Sequence, residues 1–198
     1  MNTKDKIMLT ALELFSKRGY KAVSVNDIAG ELSLSKGALY KHYKNKREIF
    51  DSILKKMSET DGIRAAEYSL PEDEYEKMPE KYKNTKLEDI VLFEKAQFKY
   101  FTCDDFACAF RKMLTIEQYN ESEARRLINN YITEGPLEYL TDLFSAVGIK
   151  DAKLKAAMLY SPMALYLAIY DGAEDKKAVE KEFSQVVDGI FKIIERDM

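Results

Sequence analysis

Apolar residues recur three and four positions apart along most of the chain, and this spacing constrains the fold more than any other feature of the sequence. In the window 175–196 the apolar residues are separated by four, three, four and three positions: Val179, Phe183, Val186, Ile190 and Ile193. Such a repeat places its side chains on one face of an α-helix that packs against other helices. Because the alternation typical of β-strands is hard to find, the sequence predicts an all-α protein.

Capping signals divide the N-terminal region into short helices. Ser24 and Asp27 have the spacing of a capping box at the start of a second helix. Ser35 can cap a third helix of about 36–43, and Asn45 with Glu48 three residues later can open a fourth. Two short helices across a tight turn, with another helix behind them, predict a three-helix helix-turn-helix head that helix four joins to a larger helical bundle.

The composition changes after the fourth helix, and this change suggests two domains. Residues 69–85 contain two prolines and dense charge, which indicates an irregular linker. Thr85 and Glu88 are spaced to cap the next helix. Later helical windows cover 104–118, 121–147, 151–170 and 175–196, with a break expected at Gly135–Pro136 and a kink at Pro162. We expect a first domain at 1–58 and a second at 59–198.

Charge is distributed unevenly between these two parts. Residues 1–58 hold twelve Lys or Arg against six Asp or Glu, a balance of +6, whereas the whole chain has a net charge of −3. The remainder therefore carries a balance of −9. A basic segment on an acidic body predicts a polyanionic partner for that segment alone.

Several function classes lack the residues that they need. The two cysteines, Cys103 and Cys108, match no zinc or redox spacing, and no histidine follows His42. The chain has no glycine-rich phosphate loop and no nucleophile elbow. We therefore expect no enzyme activity, no metal and no cofactor. The N-terminal residues are too charged for a secretion signal, and the apolar stretch 156–170 is shorter than a membrane span, which predicts a soluble, cytoplasmic protein.

The third helix has an unusual composition for a short surface helix. Gly37 and Ala38 are small where a helix must approach bases, and Lys36 can reach guanine acceptors or a phosphate. Tyr40 and His42 can donate hydrogen bonds to phosphate oxygens. Taken singly, the lysines are typical of a solvated face, Tyr40 of a residue that caps the small core, and His42 of a satisfied residue at the surface or at its boundary with the core. Together with the turn, the caps and the positive balance, these residues favour contact with DNA.

Residues 5–57 resemble the DNA-binding domain of the TetR family of bacterial transcriptional regulators. The resemblance lies in "ALELFSKRGYKAVSVNDIAGELSLSKGALYKHYKNKREIFDSIL", above all in the S-K-G-A-L-Y helix and the K-N-K segment that opens helix four. It implies a homodimer with a DNA-binding head and a larger helical regulatory domain that holds a small-molecule pocket. Most members are repressors that a ligand releases from DNA. An alternative is a helical small-molecule-binding or partner-binding protein with no role at DNA.

The resemblance also assigns roles to residues. Its base-facing positions fall on Lys36, Gly37, Ala38 and Lys41, and its phosphate-contacting positions on Ser24, Tyr40, His42 and Lys46. Ser24 replaces the commoner threonine, Leu34 the usual valine, and Lys41 an aromatic residue that is often present.

The second domain contains candidate residues for a ligand pocket and a dimer surface. Aromatic and methionine side chains that could line an apolar cavity are Phe98, Phe101, Phe110, Met113, Tyr131, Tyr139, Met158, Met163 and Tyr166. They could equally fill a core. The apolar face of 175–196, together with helix 151–170, predicts a two-fold dimer of antiparallel helices. The same face could instead pack only within its own chain.

Overall fold

The computed structural model describes residues 1–67, 82 and 85–196, and within these residues it contains α-helices and no strand. The all-α prediction is confirmed. The predicted linker at 69–85 lies outside the described residues except for Tyr82 and Thr85. By proximity the chain divides into two compact units: unit 1 is Met1–Asp61 with Asp105–Ile128, and unit 2 is Gly62–Asp104 with Asn129–Met198. The predicted domain boundary after residue 58 stays a prediction.

Unit 1 contains the predicted head. Its helices are α1 (Thr3–Arg18), α2 (Val25–Glu31), α3 (Lys36–Tyr40), the first part of α4 (Lys46–Glu67), α6 (Asp105–Glu117) and most of α7 (Ser122–Ile132). Helix α1 packs against both α2 and α6. Ile7, Ala11 and Phe15, on the apolar face of α1, are completely buried. Phe110 and Met113 of α6 are completely buried as well, so the head and the α6–α7 segment share one core.

The capping signals of the head form as predicted. The Ser24 hydroxyl accepts a hydrogen bond from the Asp27 backbone N–H at 3.1 Å, and the Asp27 carboxylate accepts one from the Ser24 N–H at 2.7 Å. The Asn45 side chain accepts from the Glu48 N–H at 2.9 Å, while the Glu48 carboxylate accepts from the N–H of Lys44 at 2.6 Å. These bonds satisfy N–H groups that have no partner inside a helix.

Helix α3 is shorter than the sequence predicts. It ends at Tyr40, and Lys41 is its C-cap, so the predicted extension to about residue 43 is wrong. The N–H groups of His42 and Tyr43 still donate to the Leu39 carbonyl at 2.9 and 3.2 Å. The chain thus makes one last turn before α4.

Unit 2 contains α5 (Leu87–Cys103), α8 (Glu134–Ala146), α9 (Ala152–Gly172) and α10 (Lys176–Arg196). Helix α9 packs against α5, α8 and α10. Aromatic rings from three helices meet in the core of unit 2. The ring of Phe98 in α5 stacks on that of Phe183 in α10 with 4.1 Å between the ring centroids, and the Tyr166 ring of α9 has its centroid 5.7 Å from that of Phe183. None of the helices in the described part of the chain combines length with enough apolar character to span a bilayer.

Two predictions for unit 2 are wrong: the helix cap at Thr85 and the position of the helix break near Gly135–Pro136. Helix α5 begins at Leu87 with Lys86 as N-cap and no side-chain hydrogen bond, so the expected Thr85 cap does not form. The break expected at Gly135–Pro136 lies at Thr133 instead. A side chain on Gly135 would overlap the Asn130 carbonyl oxygen, and glycine therefore permits the close approach of α7 and α8.

Candidate nucleic-acid interface

The turn between α2 and α3 has the tight geometry of a helix-turn-helix. Ser33 adopts a positive φ of 53°, which reverses the chain direction. The N–H of Ser33 donates to the Gly30 carbonyl at 3.0 Å, and the N–H of Leu34 donates to the Ala29 carbonyl at 2.8 Å. The Ser35 hydroxyl then accepts from the Ala38 N–H at 3.1 Å and starts α3.

Helix α3 is anchored from one side only. Leu39 is completely buried and Tyr43, just after the helix, is 2% exposed. The Tyr43 hydroxyl donates to the Lys4 carbonyl at 3.3 Å, which ties the end of α3 to the start of α1. The opposite side presents the four predicted base-facing residues, which we call the recognition surface: Lys36, Gly37 and Lys41 are exposed and Ala38 is partly exposed.

The chain itself does not require the glycine in this surface. Gly37 lies within α3, and a Cβ added to it would meet only the Ser35 hydroxyl oxygen, at 4.0 Å. In a helix, glycine costs about 1 kcal/mol relative to alanine. Neither backbone conformation nor internal packing offsets that cost here. A binding partner whose surface comes close to the backbone at Gly37 would offset that cost.

The predicted phosphate-contacting residues differ in their exposure and in the hydrogen bonds that they already make inside the protein. Tyr40 is 42% exposed, and the Lys36 ammonium lies 5.9 Å from its ring centroid. His42 is partly exposed. The Ser24 hydroxyl donates to the Asp27 carboxylate at 2.6 Å while it accepts from the Asp27 N–H. Ser24 is exposed, but its hydroxyl hydrogen is already donated to the Asp27 carboxylate.

Lys46 has a structural role that the sequence did not reveal. Its ammonium donates to the carbonyls of Tyr20 and Val23 at 2.7 and 2.8 Å and lies 4.2 Å from the Tyr20 ring centroid. Burial lowers the pKa of Lys46 because the charged form loses water. Two of its three N–H donors therefore hold the loop between α1 and α2 on the start of α4. One donor is left for a phosphate.

Arg47, one of the twelve basic residues of segment 1–58, pairs with carboxylates inside unit 1. Its guanidinium donates to the Glu123 carboxylate of α7 at 2.7 Å and to the Asp51 carboxylate at 2.7 Å. The hydrogen bond from Glu123 raises the pKa of Arg47, and the same contact lowers the pKa of Glu123. No local sequence signal identifies this pair, because its members are 76 positions apart.

The predicted pocket residues do not form one group. Phe110 and Met113 belong to unit 1, whereas the other seven residues belong to unit 2. Of those seven, Phe98, Phe101, Met163 and Tyr166 are buried, and Tyr131, Tyr139 and Met158 are partly exposed. The two residues of unit 1 fill the core beside α1, so a pocket in the regulatory part of the chain has to be built without them.

A buried carboxyl group that the sequence analysis missed lies among the aromatic residues of unit 2. Glu94 of α5 is 4% exposed, and burial raises its pKa to about 8. Burial also raises the pKa of the Tyr160 phenol, and the nearby charge of Glu94 adds to that effect. The Tyr160 hydroxyl donates to the Ile132 carbonyl at 2.7 Å. In the sequence, Glu94 stands between Phe93 and Lys95 and is indistinguishable from a surface glutamate.

The predicted dimer residues of α10 divide between two environments. Val179 and Phe183 are 7% and 2% exposed and lie in the core of unit 2, so they are not available to a partner subunit. Val186 and Ile190 are partly exposed, and Ile193 is 49% exposed. Leu165 and Ile169 of α9 are 60% and 42% exposed. The predicted dimer surface is therefore reduced to the exposed residues of these two helices.

Comparison with known proteins relates the head to DNA-binding regulators. Residues 7–53 match the sequence model of a family described as bacterial regulatory proteins, tetR family. The HTH-type transcriptional regulator QacR of Staphylococcus aureus is 48% identical over 54 residues, which are 27% of this chain and 29% of QacR. The residues that match the family model include α2, the turn and α3.

Other relatives match along nearly the whole chain. YuxN of Bacillus subtilis, an uncharacterized HTH-type transcriptional regulator, is 26% identical over 194 residues, which cover 98% of this chain and 54% of YuxN. This chain thus spans about half the length of YuxN. A solved structure of a candidate fatty acid metabolism regulator from Clostridium perfringens covers 93% of this chain and 97% of its own, with 25% identity and a TM-score of 0.64.

Proposed function

The chain belongs to the TetR family of bacterial transcriptional regulators, and from this premise we propose that it is a dimeric, DNA-binding repressor that a small molecule releases from its operator. The observation that carries the proposal is the recognition surface. It combines an exposed glycine that internal packing does not require with two exposed lysines on a helix anchored from behind. A helix of this kind fits the major groove, where small residues allow backbone and bases to come close.

Within this proposal the residues divide into two roles. Lys36, Gly37, Ala38 and Lys41 face base edges and select the DNA sequence. Ser24, Tyr40, His42 and Lys46 contact phosphates and fix the position of the helix without selecting a sequence. For Lys46 the proposal rests on its one remaining donor, and for Ser24 on its exposed hydroxyl oxygen, which accepts as well as donates.

The exposed apolar residues of α9 and α10 support a two-fold dimer. Leu165, Ile169 and Ile193 are each at least 42% exposed, and partners of the same kind on a second copy would cover them. Such a dimer presents two copies of α3 to DNA. Successive major grooves on one side of the duplex are about 34–36 Å apart, so the operator is expected to be a palindrome with that half-site spacing or a multiple of it.

The family membership makes the protein a regulator and not an enzyme, and the effector is proposed to bind in unit 2. The aromatic and methionine side chains of that unit suit an apolar small molecule. Binding there has to favour a conformation of the dimer that no longer fits the operator, because a ligand shifts an equilibrium only through different affinities for the two states.

Selection of bound sequences from random DNA, followed by gel-shift titration, tests the proposal. We expect a palindromic consensus, and an affinity that falls steeply as the salt concentration rises. Lys36→Gln and Lys41→Gln should change the sequence preference, whereas Lys177→Gln, on an exposed lysine of α10, removes the same charge and should leave it unchanged. A folded protein that enriches no sequence and binds no DNA at low salt would refute the repressor function and favour a helical binding protein without a role at DNA.

A further inference from the structure

One buried carboxyl group in unit 2 lacks a partner among the described residues. Glu94 of α5 is 4% exposed, so water reaches only a small part of its side chain. No described group donates a hydrogen bond to its carboxyl group or forms an ion pair with it. Buried polar groups in folded proteins nearly always have a hydrogen-bond partner. A carboxyl group that the fold leaves unpaired in this way is a contact point for a bound molecule.

The neighbouring Tyr160 phenol of α9 does not supply the missing hydrogen bond. Burial raises the pKa of Tyr160, and the charge of Glu94 raises it further, because the two side chains are near each other. The Tyr160 hydroxyl donates to the Ile132 carbonyl at 2.7 Å. Because a phenol has one hydrogen to donate, none is left for Glu94. Tyr160 therefore adds an aromatic ring to the site and leaves the carboxyl group unpaired.

In the part of the chain that the structure describes, no cation neutralises Glu94. Burial is the only cause that raises the pKa of Glu94 to about 8, whereas a nearby Lys or Arg would lower that pKa. Charged side chains on the elements that contact α5 have partners of their own: Arg64, Lys155, Glu180, Glu182 and Asp188. The Glu94 carboxylate is thus available to a charge from outside the protein.

The surroundings of Glu94 are apolar and aromatic. Ile90 and Phe98 lie one turn before and one turn after Glu94 on α5, and both are buried. Residues four positions apart share a face of a helix, so these side chains flank the carboxyl group. Met163, three positions after Tyr160 on α9, is buried as well. A molecule that reaches Glu94 therefore meets one polar group on an otherwise apolar surface.

We propose, on the premise of the function proposed above, that the effector is an organic cation whose amidinium, guanidinium or ammonium group pairs with the Glu94 carboxylate. Its apolar body contacts the surrounding aromatic and aliphatic side chains. On binding, the carboxyl group releases its proton to water, and the two opposite charges form a charge-assisted hydrogen bond. The ring of Tyr160 adds to the attraction, because aromatic faces attract cations.

Other classes of ligand fit these surroundings less well. A wholly apolar molecule would leave the buried carboxyl group unpaired, which is costly. An anion would find no cation beside Glu94 among the described residues. A metal ion would find too few ligands, since no three described His, Cys, Asp or Glu side chains converge on one point. The site therefore favours a cation that carries its own apolar surface.

The release of a proton makes the binding of a cation depend on pH. Between pH 6 and pH 7 the ionised fraction of Glu94 rises about tenfold, because its pKa is about 8. One proton leaves for each cation bound, so the affinity should rise by the same factor and level off above about pH 8. A neutral molecule of the same shape should show no such rise.

Binding of benzamidinium, with benzamide as its neutral counterpart, tests the proposal without DNA. Benzamidinium stays charged throughout this pH range. Methionine methyl groups labelled with ¹³C report the location, because Met163 lies in unit 2 near Tyr160 and Met113 lies in unit 1. We expect benzamidinium to shift the Met163 resonance saturably and the Met113 resonance little, with a Kd about tenfold lower at pH 7 than at pH 6. Benzamide should bind more weakly and equally at both pH values.

Glu94→Gln should weaken the binding of benzamidinium at pH 8 at least about tenfold, the effect of losing a hydrogen bond between charged groups, and should abolish the pH dependence. Glu88→Gln is the matched control, because Glu88 is exposed on the same helix, and it should change binding less than about twofold. Equal binding of benzamide, equal losses in both variants, or no Met163 shift up to about 20 mM probe would overturn the proposal, because fragments of this size bind detectably in that range.

The comparison of the two probes on the unchanged protein remains decisive if Glu94→Gln does not fold. DNA plays no part in these measurements, so their failure would leave the repressor function standing. Failure to bind DNA would in turn leave the binding of the cation measurable.

Discussion

Replacement of Glu94 by glutamine is expected to change how the stability of the protein depends on pH. Glu94 is buried, and its pKa is about 8 in the folded protein compared with 4.5 for an ordinary glutamate. Between these two values the unfolded chain carries an ionised carboxylate, whereas the folded chain keeps the proton. The folded state thus binds more protons, and the free energy of unfolding falls as the pH rises from about 4.5 to about 8.

The size of this effect follows from the separation of the two pKa values. Each pH unit between the two pKa values lowers the free energy of unfolding by about 1.36 kcal/mol. Between pH 5.0 and 7.5 the loss is therefore about 3 kcal/mol, which is a large part of the stability of an ordinary domain. Glutamine has nearly the shape of protonated glutamate and does not titrate. Glu94→Gln should consequently match the unchanged protein near pH 5 and exceed its stability by about 3 kcal/mol at pH 7.5.

Urea unfolding followed by far-ultraviolet circular dichroism measures this difference at pH 5.0, 6.0 and 7.5. The protein concentration has to be constant, because a dimer gains stability with concentration. Glu88→Gln is the control, since Glu88 is exposed on the same helix and this substitution makes the same chemical change at the surface. A difference between Glu94→Gln and the unchanged protein that stays constant across the three pH values would refute the reasoning. So would a loss of stability at pH 7.5, which would mean that Glu94 is ionised and paired.

Two further predictions concern the loop between α1 and α2. Lys46→Met removes two charge-assisted hydrogen bonds to the Tyr20 and Val23 carbonyls and should lower the free energy of unfolding in urea by about 2 kcal/mol or more. If Lys46 also contacts a phosphate, the slope of log Kd against log salt should fall by about 0.9, and an unchanged slope would leave it a structural role only. Gly19 has φ 82° and ψ 153°, a conformation that only glycine adopts easily, so Gly19→Ala should cost about 1–3 kcal/mol in the same urea assay. A cost below about 0.5 kcal/mol, the usual range for surface substitutions, would contradict the conformational argument.

Local signals in the sequence predicted the head well. The Ser24–Asp27 box and the Asn45 cap both form, because each partner lies within one helical turn of the other and the helix itself sets the geometry. The end of α3 was predicted less well. Residues 41–43 have a helical composition, but Lys41 ends the helix and the chain turns so that Tyr43 can enter the core.

Contacts between distant parts of the chain could not be predicted in the same way. Lys46 is 26 positions from Tyr20, and Arg47 is 76 positions from Glu123. The resemblance assigned Lys46 only a phosphate contact, and Arg47 counted only toward the positive balance of residues 1–58. Tertiary structure instead uses most of their hydrogen-bond donors inside the protein. The burial of Glu94 could not be predicted for the same reason. It depends on which face of α5 packs against the other helices of unit 2, and a single glutamate in the sequence does not show that.

The contacts inside unit 1 also indicate how a change in the α6–α7 segment would reach the recognition surface. Two ion pairs join the head to α7 and the loop before it, Arg47 with Glu123 and Lys21 with Glu121. Their side chains are 35–66% exposed, and such surface pairs contribute about 0–1 kcal/mol each. The apolar contact between α1 and α6 is stronger, because burying one large apolar side chain contributes about 1.5–3 kcal/mol, and Phe15 and Phe110 are both completely buried. A displacement of α6 should therefore move α1 with it. Through the Lys4 carbonyl, which accepts the Tyr43 hydroxyl hydrogen bond, it should also change the position of the C-terminal end of α3.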